Sequence, residues 1–204
     1  MILRRIFMVW VFGFALALAT GPTPAKAEDS GRNAEQFISG LANQAIEALT
    51  KPEISKQERE NRFRVMLAEN FAVKTIGRWV LGRHWNKASA DEQAEYLKLF
   101  EKLLIVTYVD RFSSYSGESL KVTKSMVNNA NDAMVFSEIG RNGTQPVHVD
   151  WRVRTNDSVT FKIIDVLVEG VSMGQTQRSE FSSVIRQHGG NLEGLLVELR
   201  KRVG

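Results

Sequence analysis

The chain has 204 residues, of which 27 are Lys or Arg and 23 are Asp or Glu, so its formal charge at pH 7 is +4. Basic and acidic residues are interleaved along the chain, whereas a nucleic-acid-binding protein concentrates positive charge on one surface. Because the chain has no cysteine, no disulfide can form, and packing must hold the fold without covalent help. The composition thus argues against nucleic-acid binding and excludes a disulfide-stabilised scaffold.

The first 27 residues have the pattern of a secretory leader. Arg4 and Arg5 precede an uncharged apolar run at 6–19, and an Ala-x-Ala sequence ends at Ala27. This combination is typical of a signal peptide that is cleaved on export, and the apolar run is too short to span a bilayer comfortably. We therefore expect a soluble, unanchored protein that begins at Glu28 and resides in a bacterial periplasm. Removal of the three basic residues of the leader leaves 24 of the 27, against 23 acidic residues.

Helical spacing of apolar residues dominates 28–116. Such spacing is clear over 33–50, which favours a first amphipathic helix. Ser55 and Ser89 each stand three residues before a Glu, which is the capping-box signature of a helix start. The longest predicted helix follows Ser89, and its apolar face contains Tyr96, Leu99, Phe100, Leu103, Leu104, Thr107, Tyr108 and Phe112.

After Gly117 the apolar residues recur at every second position, which is the spacing typical of a β-strand. Four strands are predicted at 120–127, 133–139, 147–153 and 159–168, with polar links short enough for an antiparallel meander over 117–172. Helical spacing returns over 173–204, with Asn191 at a predicted helix start. The order of helices, sheet and helices indicates one α+β domain over 28–204, in which N-terminal and C-terminal helices wrap a four-stranded sheet.

One motif matches an active-site sequence of serine hydrolases. Residues 170–174 match the G-x-S-x-G pattern, in which Ser172 would be the nucleophile of a hydrolase. That mechanism needs a sharp turn from a strand of a mostly parallel sheet into a helix, followed along the chain by an acid and a histidine. Here the sheet is predicted to be antiparallel, His188 is the only downstream histidine, and Glu180 would have to serve as the acid. The hydrolase is therefore the less favoured interpretation.

No metal or cofactor site is predicted. The three histidines, His84, His148 and His188, include no pair at i+4 spacing, and no cysteine is present to complete a ligand set. Asp165 and Glu169 lie too far apart along one extended strand to share a proton. We expect each of them to pair with an arginine of the neighbouring strand, as charged residues of a sheet surface commonly do.

Several stretches together form a recognisable combination. They are Val80-Leu81-Gly82-x-x-Trp85, the run 89–108, Val149-Asp150-Trp151-Arg152-Val153-Arg154, Arg178-Ser179-x-Phe181 and, most specifically, Asp-Val-x-Val-Glu-Gly-Val-Ser at 165–172. This combination resembles the MlaC (toluene-tolerance) family of periplasmic phospholipid-binding proteins, over nearly all of the chain from about residue 63. The resemblance makes Ser172 part of a family signature. These motifs do not distinguish the main family from its branch that accompanies hopanoid biosynthesis.

The resemblance implies a lipid carrier. Its fold would be a curved sheet like that of nuclear transport factor 2, wrapped by helices. A monomeric soluble protein would carry one phospholipid between an inner-membrane ABC transporter complex and an outer-membrane lipoprotein complex, and so maintain the lipid asymmetry of the outer membrane.

Periodicity alone suggests where the acyl chains would lie, namely between one face of the sheet and the apolar face of the longest helix. The candidate lipid-binding residues are Val147, Val149, Trp151, Val153, Ile164, Val166 and Val168 on the sheet, and Phe100, Leu103, Leu104, Tyr108 and Phe112 on the helix. Two other classes stay open: an adaptor protein with a solid core, and a small-molecule enzyme that uses His148 and Asp150.

Overall fold

A computed structural model of the protein describes residues 24–140, 143 and 145–204. Residues 1–23 of the predicted leader lie outside this part. The α-helices of the described part are α1 (Pro24–Leu49), α2 (Lys56–Asn70), α3 (Val73–Leu81), α4 (Ala90–Ser113), α5 (Met173–Gln187) and α6 (Leu192–Val203), with a 3₁₀ segment at Gly82–Lys87. Each of these helices is too polar or too short to cross a membrane.

The strands form an open, antiparallel meander. They are β1 (Ser119–Val127), β2 (Asp132–Gly140), β3 (Val147–Thr155), β4 (Phe161–Val168) and β5 (Val171–Ser172), and each pairs with the next along the chain. All four predicted strands form, and the two-residue β5 adds a fifth. The α+β class with a curved antiparallel sheet between N-terminal and C-terminal helices is therefore confirmed.

Side-chain caps start four helices. Ser89 shows the complete capping box, because its hydroxyl accepts from the backbone N–H of Glu92 at 3.2 Å while the Glu92 carboxylate accepts from the N–H of Ser89 at 2.8 Å. Ser55 caps α2, Asn191 caps α6 and Ser172 caps α5 through a backbone N–H of the first turn. Such caps satisfy amide groups that the helix itself leaves unpaired.

Three clusters of buried side chains fill the fold. The helical core joins α3 to α6 and contains Val80, Leu81, Tyr96, Leu99, Phe100, Leu103, Phe181, Ile185, Leu192, Leu195, Leu196 and Leu199. The sheet core lies between α1 and β2–β4 and contains Ala34, Ile38, Leu41, Ala133, Val135, Val153, Phe161 and Ile163. The α2 core contains Leu49, Phe63, Leu67, Ile105 and Val109. Helix α4 therefore serves two clusters, its first half the helical core and its second half the α2 core.

Helix α1 is anchored at both ends. Near its start, Gly31 lies so close to β1 that an added Cβ would be 2.9 Å from the hydroxyl of Ser125. At its end, the buried Arg59 of α2 donates to the carbonyl oxygens of Leu49 at 2.8 Å and Lys51 at 3.2 Å. A cation at a helix C-terminus satisfies its free carbonyls and interacts favourably with the helix dipole.

This anchor gives a stability prediction. Arg59→Met keeps most of the aliphatic stem but removes both hydrogen bonds, so the free energy of unfolding should fall by about 2 kcal/mol, the usual contribution of a charged hydrogen bond. Urea denaturation measures the loss. Arg64→Met on the same helix is the matched control, because its 3.5 Å ion pair with Glu101 is exposed and should contribute less than about 1 kcal/mol. Equal effects of the two variants would contradict the anchoring role.

Candidate functional site

A cavity with a volume of about 830 Å³ is present in the described part of the fold. It lies under the middle of α1, between the sheet, α2 and the C-terminal end of α4. Its apolar walls come from Ile38, Leu41, Ala42, Ala45 and Ile46 of α1, Phe63 and Met66 of α2, Phe71, Phe112 of α4, and Leu120, Ile139 and Trp151 of the sheet. A volume of this size falls in the upper part of the range of small-molecule sites.

Part of the space exists because α1 places two alanines in the cavity wall between larger side chains. Ala42 and Ala45 both line the cavity, whereas Ile38 before them and Leu49 after them are buried in the sheet core and the α2 core. Close packing would require large residues at 42 and 45, because protein interiors leave few voids larger than a water molecule. The alanines therefore leave the cavity unfilled by the chain itself.

The rim is polar and mixed in charge. Asp110, Arg111, Ser114 and Ser119 line the cavity and are exposed, so the cavity opens to solvent where α4 leads into β1. Asp110 lies 3.4 Å from the amine of Lys56. This rim offers both signs of charge and hydroxyl groups to whatever emerges from the apolar interior.

Trp151 has a fixed orientation at the cavity wall. Its indole N–H donates to the hydroxyl of Ser137 at 3.0 Å, and that buried hydroxyl donates to the carbonyl oxygen of Val149 at 2.5 Å. The polar end of the indole is thus satisfied within the sheet, as buried tryptophans require. The apolar remainder of the ring is left to form part of the wall.

The predicted lipid-binding residues occupy several places. Trp151 and Phe112 line the cavity. The others are Phe100 and Leu103 in the helical core, Val153 in the sheet core with Val166 packed against it, Leu104 and Tyr108 packed against the α2 core, and Val147, Val149, Ile164 and Val168 along β3 and β4. For these ten residues, the prediction that they contact a ligand is supported only by the spacing of apolar residues in the sequence.

A bulge changes which residues of β4 share a face. Val166 pairs with Trp151, but Ile163 rather than Ile164 stands opposite Val153. Ile164 is the extra residue, and such an insertion shifts the alternation of side chains by one position. The strict alternation assumed from the sequence is therefore wrong in the first half of β4, where the fully buried residue is Ile163.

Sequence reasoning missed the contribution of α1. Its apolar stripe over 33–50 is evident in the sequence, whereas the predicted walls lie only on the longest helix and the sheet. The available signal was the run of alanines within that stripe, at 42, 45 and 48, because small residues on a buried helix face either allow close packing or leave space.

The signature stretch at 165–172 forms a structural junction. Asp165 accepts hydrogen bonds from the hydroxyl of Ser172 at 2.6 Å and from the backbone N–H groups of Gly174 at 3.1 Å and Val166 at 2.9 Å. A Cβ at residue 174 would be 2.9 Å from the ring of Trp79, so glycine is needed there. These contacts fix the start of α5 against the sheet.

The charged residues of this region have other partners than expected. Asp165 accepts hydrogen bonds from Ser172 and Gly174 within the junction. Glu169 accepts a hydrogen bond from the backbone N–H of His148 at 2.7 Å. Arg154 pairs with Asp132 of β2 at 2.6 Å, which lowers the pKa of Asp132. The predicted pairing of Asp165 and Glu169 with arginines of β3 is wrong, because the turn between β4 and β5 brings backbone donors closer to both carboxylates.

The two residues considered for a small-molecule enzyme lie away from the cavity. Neither His148 nor Asp150 lines it, and the exposed His148 lies 3.9 Å from Glu138. Among the described residues, no three side chains of His, Asp or Glu are grouped so that they could hold a metal ion. What the site offers is enclosed apolar volume with a polar opening.

Comparison with known proteins agrees with this geometry. The family model described as MlaC protein matches residues 39–201. The chain belongs to the MlaC family. This confirms the resemblance drawn from the short stretches of sequence, and the match includes every wall of the cavity except Ile38.

Two relatives are informative. The intermembrane phospholipid transport system binding protein MlaC of Haemophilus influenzae is 25% identical over 121 residues, which cover 57% of this chain and 56% of that protein. The match therefore spans little more than half the length of this relative. A phospholipid-binding protein from Ralstonia solanacearum, solved in complex with a phospholipid, superposes with a TM-score of 0.75 at 21% identity, over 83% of this chain and 96% of that chain. This second likeness shows a shared fold.

The hydrogen bonds of Ser172 predict that it stabilises the fold and does not act as a nucleophile. Its hydroxyl donates to Asp165 and accepts from the backbone N–H of Gln175 at 3.0 Å, so Ser172→Ala should lower the free energy of unfolding by about 1–2 kcal/mol through loss of the cap. A fluorophosphonate probe should not label the wild-type protein. Ser179→Ala, an exposed position on the same helix, is the control and should have little effect. Labelling that disappears in Ser172→Ala would identify a nucleophile and contradict the structural role.

Proposed function

We propose that this protein is a phospholipid carrier that buries the acyl chains of one lipid in the cavity under α1. The observation that carries the proposal is the apolar volume of about 830 Å³ with a polar rim. At about 30 Å³ per water-sized group, this volume has room for about 28 methylene-sized groups. The two chains of an ordinary diacyl phospholipid contain about as many.

The energetics explain why such a cavity is needed. Each buried methylene contributes about 0.8 kcal/mol, so about 30 methylenes exposed to water would cost more than 20 kcal/mol. Free diffusion of a diacyl lipid between membranes is negligible at such a cost. A carrier that encloses both chains removes this barrier.

The headgroup would remain at the rim. Asp110 and Arg111 present opposite charges there, and the described residues of the rim include no cluster of basic side chains that would form a phosphate clamp. Because burial of the chains dominates the binding energy, we expect little selectivity for the headgroup.

The cellular role follows from the family and from the leader-like start of the chain. We propose that the protein is exported to the periplasm and carries lipid between an inner-membrane ABC transporter complex and an outer-membrane lipoprotein complex, and thereby maintains the lipid asymmetry of the outer membrane. The Haemophilus influenzae relative is named as the binding protein of an intermembrane phospholipid transport system, which supports this proposal.

Native mass spectrometry tests the proposal. Protein purified from the periplasm without detergent should carry one diacyl phospholipid. Ala42→Trp places a large ring in the cavity and should lower the affinity for lipid at least tenfold, because displacement of even two methylenes costs about 1.6 kcal/mol. The variant should therefore retain less lipid than the wild type after incubation with empty vesicles.

Ala94→Trp is the matched control. Ala94 is exposed on the N-terminal half of α4, so this variant should keep lipid at the wild-type level, and thermal unfolding should show both variants folded. A wild-type protein without any lipid would indicate an adaptor and contradict the carrier. Wild-type lipid content in Ala42→Trp would contradict the placement of the chains. A bound hopanoid would keep the carrier but change its cargo.

A further inference from the structure

A second, much smaller cleft lies between the 3₁₀ segment and α5. It has a volume of about 270 Å³ and is lined by Leu81, Gly82, Arg83, His84, Arg178, Ser182 and Arg186. Three arginines, a histidine and a serine therefore border one small space, and Arg83 and Arg186 among them are exposed. No acidic side chain lines it.

Arg178 is held in place by three contacts. Its guanidinium donates to the carbonyl oxygen of Trp79 at 3.1 Å and lies over the indole ring of Trp79, 5.2 Å from the centroid. Gly82 has φ +58°, and a Cβ there would be 2.9 Å from the guanidinium. The turn at Gly82 therefore leaves the room that this arginine occupies, and Arg178 enters the cleft with little remaining freedom.

His84 is a buried polar group without a partner. The residue is only 8% exposed, and its Nε2 atom has no hydrogen-bond partner among the described residues. A buried polar atom left without a hydrogen bond is costly, so each such group in a native fold needs an explanation. A ligand in the cleft that this residue lines would provide one.

The positive charges of the cleft are not compensated within the described part of the chain. Arg83 and Arg186 form no hydrogen bond or ion pair with the described residues, whereas Arg200, Arg202 and Arg154 all pair with carboxylates. Burial lowers the pKa of His84, and the charges of Arg83, Lys87 and Arg186 lower it further. An anion would relieve this mutual repulsion.

We propose that this cleft binds a phosphate group. Guanidinium groups suit phosphate because each presents a planar array of donors that matches two of its oxygens. The tetrahedral anion is small enough for the space between Arg83, Arg178 and Arg186, and the hydroxyl of Ser182 adds a further donor at the wall.

The cleft is separate from the lipid cavity. The amide of Gln93 donates to the carbonyl oxygen of Trp85 at 2.9 Å, which fixes the 3₁₀ segment near the N-terminal end of α4. The rim residue Asp110 lies near the other end of the same helix, about 25 Å away at 1.5 Å per residue. The headgroup of a lipid in the cavity therefore cannot be the source of this phosphate, which must come from free phosphate or from the surface of a membrane.

Titration with inorganic phosphate tests the site. At constant ionic strength, NMR signals of His84 and of the arginine side chains should shift with saturable, one-site behaviour in the millimolar range. Arg83→Gln and Arg186→Gln should each weaken binding about tenfold. Arg152→Gln removes the same charge from an exposed position on β3 and should leave the affinity unchanged. Absence of saturation, or equal weakening by Arg152→Gln, would overturn the proposal.

Vesicles distinguish the two sources of phosphate. The purified protein is sedimented with phosphatidylglycerol vesicles, with and without the same substitutions. Pelleting that is lost in Arg83→Gln and Arg186→Gln but retained in Arg152→Gln would assign the site to lipid phosphate. No pelleting together with saturable phosphate binding would assign it to the free anion. Pelleting that falls equally in all three variants would reflect diffuse charge and contradict a specific site.

Discussion

The cavity depends on helix α1 being fixed at two ends that belong to different cores. Ala34 and Ile38 are buried against the sheet, while Leu49 packs against α2, where Arg59 binds the last carbonyls of the helix. Between these anchors the helix crosses a gap that its side chains, which include Ala42 and Ala45, do not fill. Because both ends are held by packing and hydrogen bonds, the helix cannot collapse into the gap, and the apolar space persists.

The helical core and the junction at the start of α5 hold the cavity walls in position from outside the cavity. The first half of α4 packs into the helical core with α5 and α6, so the second half is positioned as a cavity wall. The junction of Asp165, Ser172 and Gly174 locks α5 to the sheet. The most specific sequence feature of the family is thus part of the scaffold, and the binding volume is built from residues of ordinary composition. This separation fits a protein whose ligand is held by shape and burial.

The sequence predicted the scaffold better than the site. Local signals such as the capping box at Ser89 and the polar links of the meander act over a few residues, and they gave the starts of α2, α4 and α6 and the strand order correctly. The start of α1 at Pro24, before the predicted 33, carries no such signal. The cavity walls depend on how distant elements meet, which periodicity does not encode. The face of α4 looked continuous although it serves two cores, and Ile164 looked like an inward residue because a bulge leaves no mark in the pattern. The stripe of α1 and its alanines are visible in the sequence, but small residues on a buried helix face indicate either close packing or empty space, and only the positions of the distant elements decide between the two.

The position of Trp151 provides the most direct measurement. A variant of the protein without its predicted leader keeps Trp151 as its single tryptophan, with Trp79 and Trp85 changed to Phe, and is loaded with a phospholipid that carries bromine atoms on its acyl chains. Bromine quenches tryptophan fluorescence only at close contact, so Trp151 should be strongly quenched relative to the same lipid without bromine. A companion variant that keeps only Trp79, which packs outside the cavity, should be quenched little. Unquenched Trp151 in a protein that holds brominated lipid would contradict the claim that the chains lie under α1.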